Sequence, residues 1–191
     1  LGHVQHLRKK LHKRLVGLAA GWGSGDVDVE PVLPRLHSVG LGAGVNHNCV
    51  NKTDLTAWCW CLNTTGQAGD MTIASPQSVP VEIKALGMTA VQVAGGNGHS
   101  CARKKDGSLW CWGKNTDGQL GDGSSVTPTP PPVLVPVQVT ALGFTVADVA
   151  AGSDHTCARD IAHKLYCWGS NTDGQLGDGL TKPSSSPVWI T

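Results

Sequence analysis

Residues 99–123, HSCARKKDGSLWCWGKNTDGQLGDG, and residues 155–179, HTCARDIAHKLYCWGSNTDGQLGDG, align without a gap and end in the same nine-residue loop. A degraded third copy runs from His47-Asn-Cys49 through Cys59-Trp60-Cys61 to Gly66-Gln67-Ala68-Gly69-Asp70. Cys49 and Cys101 are 52 positions apart, and Cys101 and Cys157 are 56 apart. Upstream, Pro80-Val81 and Pro136-Val137 precede their histidines by the same distance, each followed by Ala-Leu-Gly at 85–87 and 141–143. A period of about 50 residues belongs to propeller blades and solenoid units.

Within one unit the residues predict β-structure. Val91 and Val93, or Val146 and Val149, mark a strand before the histidine, and Leu109–Trp112 or Leu165–Trp168 mark another after it. Pairing Cys101 opposite Cys111 leaves Lys105-Asp106-Gly107 as a three-residue hairpin loop, with Gly107 at the position that wants a left-handed backbone. The third unit has Ile161-Ala162-His163 there and lacks the glycine, so its turn must differ in detail. The same register sets His99 opposite Gly113 and His155 opposite Gly169, so the imidazole is expected over a residue without a side chain. Trp112 and Trp168 then point to the reverse face, where they serve packing between units.

Composition agrees. Of 191 residues 40% are hydrophobic, 15% charged and 5% aromatic, with 25 Gly, 11 Pro and a net charge of +1. That supports one modest core with short strands and many turns. No apolar run approaches the roughly 18 residues of a membrane-spanning helix. Charge is uneven: residues 1–16 carry Arg8, Lys9, Lys10, Lys13 and Arg14 without an acid, whereas the remainder is acidic on balance and is not a nucleic-acid surface. In the leader, Leu1, Val4, Leu11, Leu15 and Leu18 recur at helical spacing, so residues 1–20 read as a basic amphipathic segment able to touch anionic surfaces or lie on the body. Its charges interrupt the apolar stretch, unlike a signal peptide.

The string G-x-x-H-[ST]-C-A-R followed by L-[WY]-C-W-G-x-N-T-D-G-Q-L-G-D-G resembles the repeat of the regulator of chromosome condensation (RCC1) family, in its cysteine-bearing bacterial or secreted form. The resemblance is specific over Gly96–Gly123 and Gly152–Gly179 and weaker in the first unit, where Cys61 stands in place of the glycine. Gly21-Trp22-Gly23 and Pro31-Val32 resemble the tail of a further unit. The resemblance implies an all-β fold of four-stranded antiparallel blades around an axis, usually seven. The units are placed at 21–46 (truncated), 47–79, 80–135 and 136–191, the last ending at Pro187–Thr191 in a strand that opens a further unit. About three blades cannot close such a ring, which leads to the expectation of a longer parent protein or of an arc that needs partners, further blades or copies, to hide its edges.

Seven cysteines focus the chemistry. Cys49 with Cys59, Cys101 with Cys111, and Cys157 with Cys167 are directly opposed in this register, the arrangement a cross-strand disulfide tolerates; buried free thiols in a reducing compartment are the alternative. Cys61, opposite His47, is a free or intermolecular thiol by preference over a zinc ligand, since C-x-C on a strand is not a zinc knuckle. No metal site or cofactor is expected. The histidines recur in every unit and are expected to be structural, because a catalytic histidine is usually needed once. The NTDGQLGDG loops lack both EF-hand and P-loop spacing, and their Asn, Asp and Gly residues are read as turn chemistry. Asn51-Lys-Thr53 and Asn63-Thr-Thr65 are glycosylation sequons.

No catalytic motif emerges. What varies between units is the set of hairpin tips, Arg103, Lys104, Lys105 and Asp106 with Arg159, His163 and Lys164, and the post-loop segments Met71–Val79, Ser124–Val135 and Leu180–Ser186. The proline run at 128–132, with Pro130 and Pro131, is stiff enough to dock. The favoured reading is a non-enzymatic, extracellular or cell-surface scaffold that binds a protein partner through those loops. Two alternatives stand beside it: nucleotide exchange with chromatin attachment, implied by the resemblance, and a carbohydrate- or substrate-binding module of a secreted enzyme, permitted by the seven tryptophans.

Overall fold

The computed structural model describes residues 38–124 and 130–191. The basic leader, the Gly21–Gly23 and Pro31-Val32 segments and Pro128 lie outside the described residues.

Among the described residues, twelve strands form three four-stranded antiparallel sheets. The first takes β1 (Ser38–Ala43), β2 (His47–Lys52), β3 (Ala57–Cys61) and β4 (Gln77–Glu82). The second takes β5 (Ala90–Gly95), β6 (His99–Lys104), β7 (Leu109–Gly113) and β8 (Val133–Gln138), and the third β9 (Val146–Ala151), β10 (His155–Asp160), β11 (Leu165–Gly169) and β12 (Ser184–Ile190). Each sheet is a simple meander in chain order, and single 3-10 turns at Lys84–Leu86 and Thr140–Leu142 lead from one sheet to the next. β5 contacts both β1 and β9, so the first strands line the inner edge of the arc. The blades therefore span 38–82, 90–138 and 146–190, each taking its outermost strand from the Pro-Val segment at the head of the following sequence unit. Pro187–Ile190 accordingly lies in β12, which pairs with β11 and completes the third sheet.

The central hairpins hold the expected register. Cys49 pairs with Cys59, Cys101 with Cys111, Cys157 with Cys167, and the histidines fall opposite Cys61, Gly113 and Gly169. Gly107 closes its turn at φ 83°, and His163 adopts φ 64° at the same place in the third blade. There the turn differs as expected: the Asp160 carboxylate accepts the backbone N–H groups of Ala162 (2.8 Å) and Lys164 (2.8 Å), the duty that Asp106 performs from inside the other loop.

Two apolar cores lie between the sheets rather than within them. Cys49 and Cys59 of the first blade, with Ile83 and Leu86 from the connection that follows it, pack on Ala90, Val93, Ala102 and Trp112 of the second. Cys101, Cys111, Leu109 and Leu120 of the second pack on Val146, Val149, Ala158 and Trp168 of the third. Period-2 alternation makes this possible, since it puts cysteines on one face of every blade and tryptophans on the other.

Two readings need correction. The segments taken as variable loops end in regular strand: Gln77–Val79, Val133–Val135 and Ser184–Ser186 belong to β4, β8 and β12, because the outermost strand begins before its proline. The imidazole of His99 does not lie over Gly113. It sits against Gly96, where a Cβ would collide with the ring, while a Cβ on Gly113 would meet the Gly98 carbonyl and the His99 Cα.

Candidate functional site

The groups with the most chemical potential are bound into the frame. His47 and His99 are both buried. His47 Nε2 lies 2.7 Å from Ser100 Oγ, whose hydroxyl donates to the Gln67 carbonyl at 2.8 Å, and Trp112 Nε1 donates to the same carbonyl at 2.9 Å. One blade on, the set repeats: His99 Nε2 is 3.0 Å from Thr156 Oγ1, Thr156 donates to the Gln119 carbonyl at 2.9 Å, and Trp168 Nε1 donates there at 3.0 Å. Since the hydroxyl proton is used on the carbonyl, the hydroxyl oxygen must accept from Nε2–H, which fixes the neutral Nε2–H tautomer. Burial pushes the pKa of His47 down to about 4 and that of His99 down to about 3, the latter against an upward pull from Asp154. Across the same boundary Lys114 Nζ meets Asp154 Oδ1 at 2.8 Å.

The sulfur is committed as well. Cys49–Cys59, Cys101–Cys111 and Cys157–Cys167 are disulfides, each closing its own central hairpin, and Cys61 is the free thiol. Cys61 adopts φ 88°, and its Sγ is met at 3.7 Å by the Asn48 amide, from the face opposite the disulfide, rather than by His47.

The glycine-rich loops bind themselves. Asn115 Oδ1 accepts the Leu120 N–H at 3.1 Å while its amide donates to Ser124 Oγ at 2.8 Å, and Gln119 Oε1 accepts the Asp117 N–H at 2.9 Å. Asn171 and Asn63 repeat the pattern on Leu176 and Ala68. This corrects the sequon reading. Asn63 is buried with its amide bonded to Asp70 Oδ1 and Thr72 O, and Asn51 is buried too, so neither presents an amide for a glycan in the folded chain.

Among the described residues, the charged side chains lie at the two ends of the strands. At one end the hairpin tips carry the predicted residues. Lys105 is exposed, Lys104 Nζ lies 4.3 Å above the Trp110 ring, and Arg103 Nε donates to Gln92 Oε1 at 3.3 Å. Asp106 is exposed, but its carboxylate is spent on the Ser108 N–H and hydroxyl (2.9 and 2.7 Å), which hold it below the usual carboxylate range. Lys164 Nζ lies 4.9 Å over Trp189, and Arg159 Nη1 is 3.0 Å from His163 Nδ1. The first blade adds Lys52, 3.7 Å over Trp58, a pair that reading for variable loops did not single out. Its signal was available: a lysine six residues before a tryptophan recurs at 52/58 and 104/110.

Pro130 and Pro131 are not part of this cluster. They lead into β8 at Val133, which pairs with Gly113 at the opposite end of the strands. That opposite end is acidic, with Asp70, Asp117, Asp122, Asp154, Asp173 and Asp178 against Lys114 and Lys182. The hairpin-tip end is basic on balance, with Lys52, Lys84, Arg103, Lys104, Lys105, Arg159 and Lys164 against Asp54, Glu82, Asp106, Asp148 and Asp160.

Comparison with known proteins bears on this architecture. Two family profiles, both described as Regulator of chromosome condensation (RCC1) repeat, match residues 106–159 and 163–191, and residues 90–119 and 146–175. Among curated proteins, the chain is 30% identical over 178 residues to the ultraviolet-B receptor UVR8 of Arabidopsis thaliana, covering 88% of this chain and 39% of that one. It is 38% identical over 122 residues to the probable E3 ubiquitin-protein ligase HERC3 of Homo sapiens, covering 63% of this chain and 11% of the ligase. Yeast RCC1 (Prp20), solved bound to Kap60, superposes with a TM-score of 0.72 at 23% identity, over 81% of this chain and 37% of that one. The chain thus spans well under half the length of each of these relatives.

Proposed function

Because the chain belongs to the RCC1 repeat family, with β-propeller blades as its architecture, we propose that it is a non-enzymatic scaffold that binds a protein partner through the basic hairpin-tip end of its blades. One observation carries this reading: His47, His99, the paired cysteines and the loop asparagines are consumed by the frame, while the charged side chains of the hairpin tips, which differ from blade to blade, stay at the surface. Lys52, Lys104 and Lys164 each rest on an aromatic ring, so their ammonium groups are held with little rotamer freedom left to lose on binding. With Lys105 beside them, they suit an acidic protein surface. The HERC ligases and UVR8, which share the repeat, support a scaffold role. The matched stretch is a minor part of each, so their whole activities are not carried over.

The placement proposed is extracellular or cell-surface. Three disulfides within adjacent hairpins support it, because such bonds persist in oxidising compartments.

The test is charge reversal at the tips. Partner capture by the wild-type chain is compared with capture by a Lys104→Glu/Lys105→Glu/Lys164→Glu variant and by an Asp117→Lys/Asp173→Lys variant at the other end. Loss with the first and retention with the second is expected. Equal capture by all three would remove the tips from the interface, and retention on a polysaccharide column or stimulated nucleotide release from a small GTPase would favour the other readings.

A further inference from the structure

Between the hairpin tips the chain crosses from one blade to the next, and each crossing leaves an apolar side chain on the surface. Met88 and Phe144 occupy the same place in the two connections, two residues after Leu86 and Leu142. The leucines are buried, whereas Met88 is 65% exposed and Phe144 64%. Local structure holds them out. Gly87 (φ 61°) and Gly143 (φ 57°) take the left-handed backbone that turns the chain there. Thr89 and Thr145 then donate their hydroxyls back to the carbonyls of Leu86 (2.6 Å) and Leu142 (2.8 Å), which fixes the turn.

Backbone hydrogen bonds stitch each connection to the tips on either side of it. Ala90 N–H donates to the Leu55 carbonyl of the first tip at 2.9 Å, and Lys105 N–H of the second tip donates to the Thr89 carbonyl at 2.8 Å. One blade on, Val146 N–H donates to the Gly107 carbonyl at 3.0 Å, and Ile161 N–H to the Thr145 carbonyl at 2.9 Å. The result is one continuous row in which Lys52, Met88, Lys104 with Lys105, and Phe144 follow in order. The acids of the row are engaged within their own loops, Asp54 on Thr56 and Asp106 on Ser108. A further blade packs on a blade face and not on this row: Met88 has a blade on each side and another beyond, and is as exposed as Phe144. The leader, with five basic side chains and no acid in residues 1–16, has the same sign as the row.

Taking the tips as the binding end, as proposed above, we infer that their partner is an extended acidic segment of a protein, whose carboxylates meet Lys52, Lys104 and Lys105 and whose apolar side chains cover Met88 and Phe144. Basic and apolar groups take turns along the row. An all-acidic stretch would leave Met88 and Phe144 in water, and a wholly apolar one would desolvate the lysines without pairing them. Stacked sheets lie about 10 Å apart, so the two connections are spaced for apolar residues roughly three apart in extended chain.

Two labelled eight-residue peptides of Glu and Asp serve as probes, one with leucine at its third and sixth positions and one with serine there. Fluorescence anisotropy at low salt follows their binding to the full 191-residue chain and to a Met88→Ser/Phe144→Ser variant. Both replaced side chains are exposed, so the variant should unfold as the wild type does. The wild type should bind the leucine peptide roughly tenfold or more tightly than the serine one. The variant should bind the two alike, at the strength of the serine peptide. Equal binding of both by the wild type, or a leucine preference that survives in the variant, overturns this inference and leaves the basic tips standing as the binding end. A further variant, Asp26→Asn/Asp28→Asn/Glu30→Gln, neutralises an acidic run of this chain's own; binding that tightens roughly tenfold there would make that run the occupant and overturn a separate partner. Binding of neither peptide to any of these chains overturns the basic-tip reading as well.

Discussion

Thr156 Oγ1 stands 3.0 Å from His99 Nε2 and donates at 2.9 Å to the Gln119 carbonyl, so one hydroxyl ties a third-blade strand to both the central hairpin and the loop of the second blade. Removing it leaves a buried imidazole N–H without an acceptor. Thr156→Val keeps the shape and deletes the bonds, and should lower stability by about 1–3 kcal/mol, with Ser100→Ala behaving alike at the first boundary. Urea unfolding followed by tryptophan fluorescence measures this. A midpoint unchanged in both variants would mean that the relay adds nothing beyond packing.

The same histidines set the acid response. Their folded pKa values, about 4 for His47 and about 3 for His99, lie below the ordinary 6.5. The unfolded chain therefore binds more protons between those values, and stability rises with pH across that window. It should be fully present above pH 6.5 and fall as the pH drops towards 4 and then 3. Protonation of each ring in the unfolded chain removes on the order of 3 kcal/mol of stability by the acid end of that window. His47→Gln and His99→Gln should be less stable at pH 7 and should show a flatter loss on acidification. A slope between pH 6.5 and 4 identical to that of the wild type would place acid sensitivity elsewhere.

Much of this was legible because strand alternation and repetition are local rules. The Cys101–Cys111 register follows from a three-residue loop ending in Gly107, and it fixes which residues share a face. The hydroxyls that follow His99 and His155, on Ser100 and Thr156, have no role legible in the sequence, because their partners sit 33 to 57 positions away on another blade. The His99 ring lies against Gly96 rather than Gly113 because it swings back over the turn before its own strand, which pairing register alone does not show. Strand starts before Pro80, Pro136 and Pro187 are not legible in the sequence, because proline reads as a breaker, whereas here it sits on an outermost strand whose free edge asks for no donor. Among the proposed tip residues, reading could place Lys105 at the surface but could not see that Asp106 is occupied by its own turn.

Gly121 and Gly177 form a matched pair for testing the boundary. Both adopt left-handed backbone, at φ 71° and 73°, so alanine costs each a similar strain of about 1–2 kcal/mol. Only at Gly121 would the new methyl strike a neighbouring blade, at Trp168. Gly121→Ala should therefore be the more destabilising by a further 1–3 kcal/mol or so, read as the difference in unfolding midpoint. Equal losses would mean that Trp168 can move aside and that the loop, not the indole, sets the need for glycine.

The disulfides can be tested one hairpin at a time. Each joins residues separated by 10 positions, and closing so short a loop in the unfolded chain is worth about 3 kcal/mol. Peptide mapping after thiol blocking should recover three linked pairs and one alkylated cysteine, Cys61. Graded reduction should open Cys157–Cys167 first, because Cys157 is half-buried on the uncovered face whereas Cys49, Cys59, Cys101 and Cys111 are sealed between blades. The double variant Cys157→Ala/Cys167→Ala should likewise cost less than Cys101→Ala/Cys111→Ala, whose sulfurs also fill the core against Trp168 and Val149. Release of all three pairs at the same reductant concentration would show that the blades open together, and that the boundaries between them, not exposure of the last face, govern access.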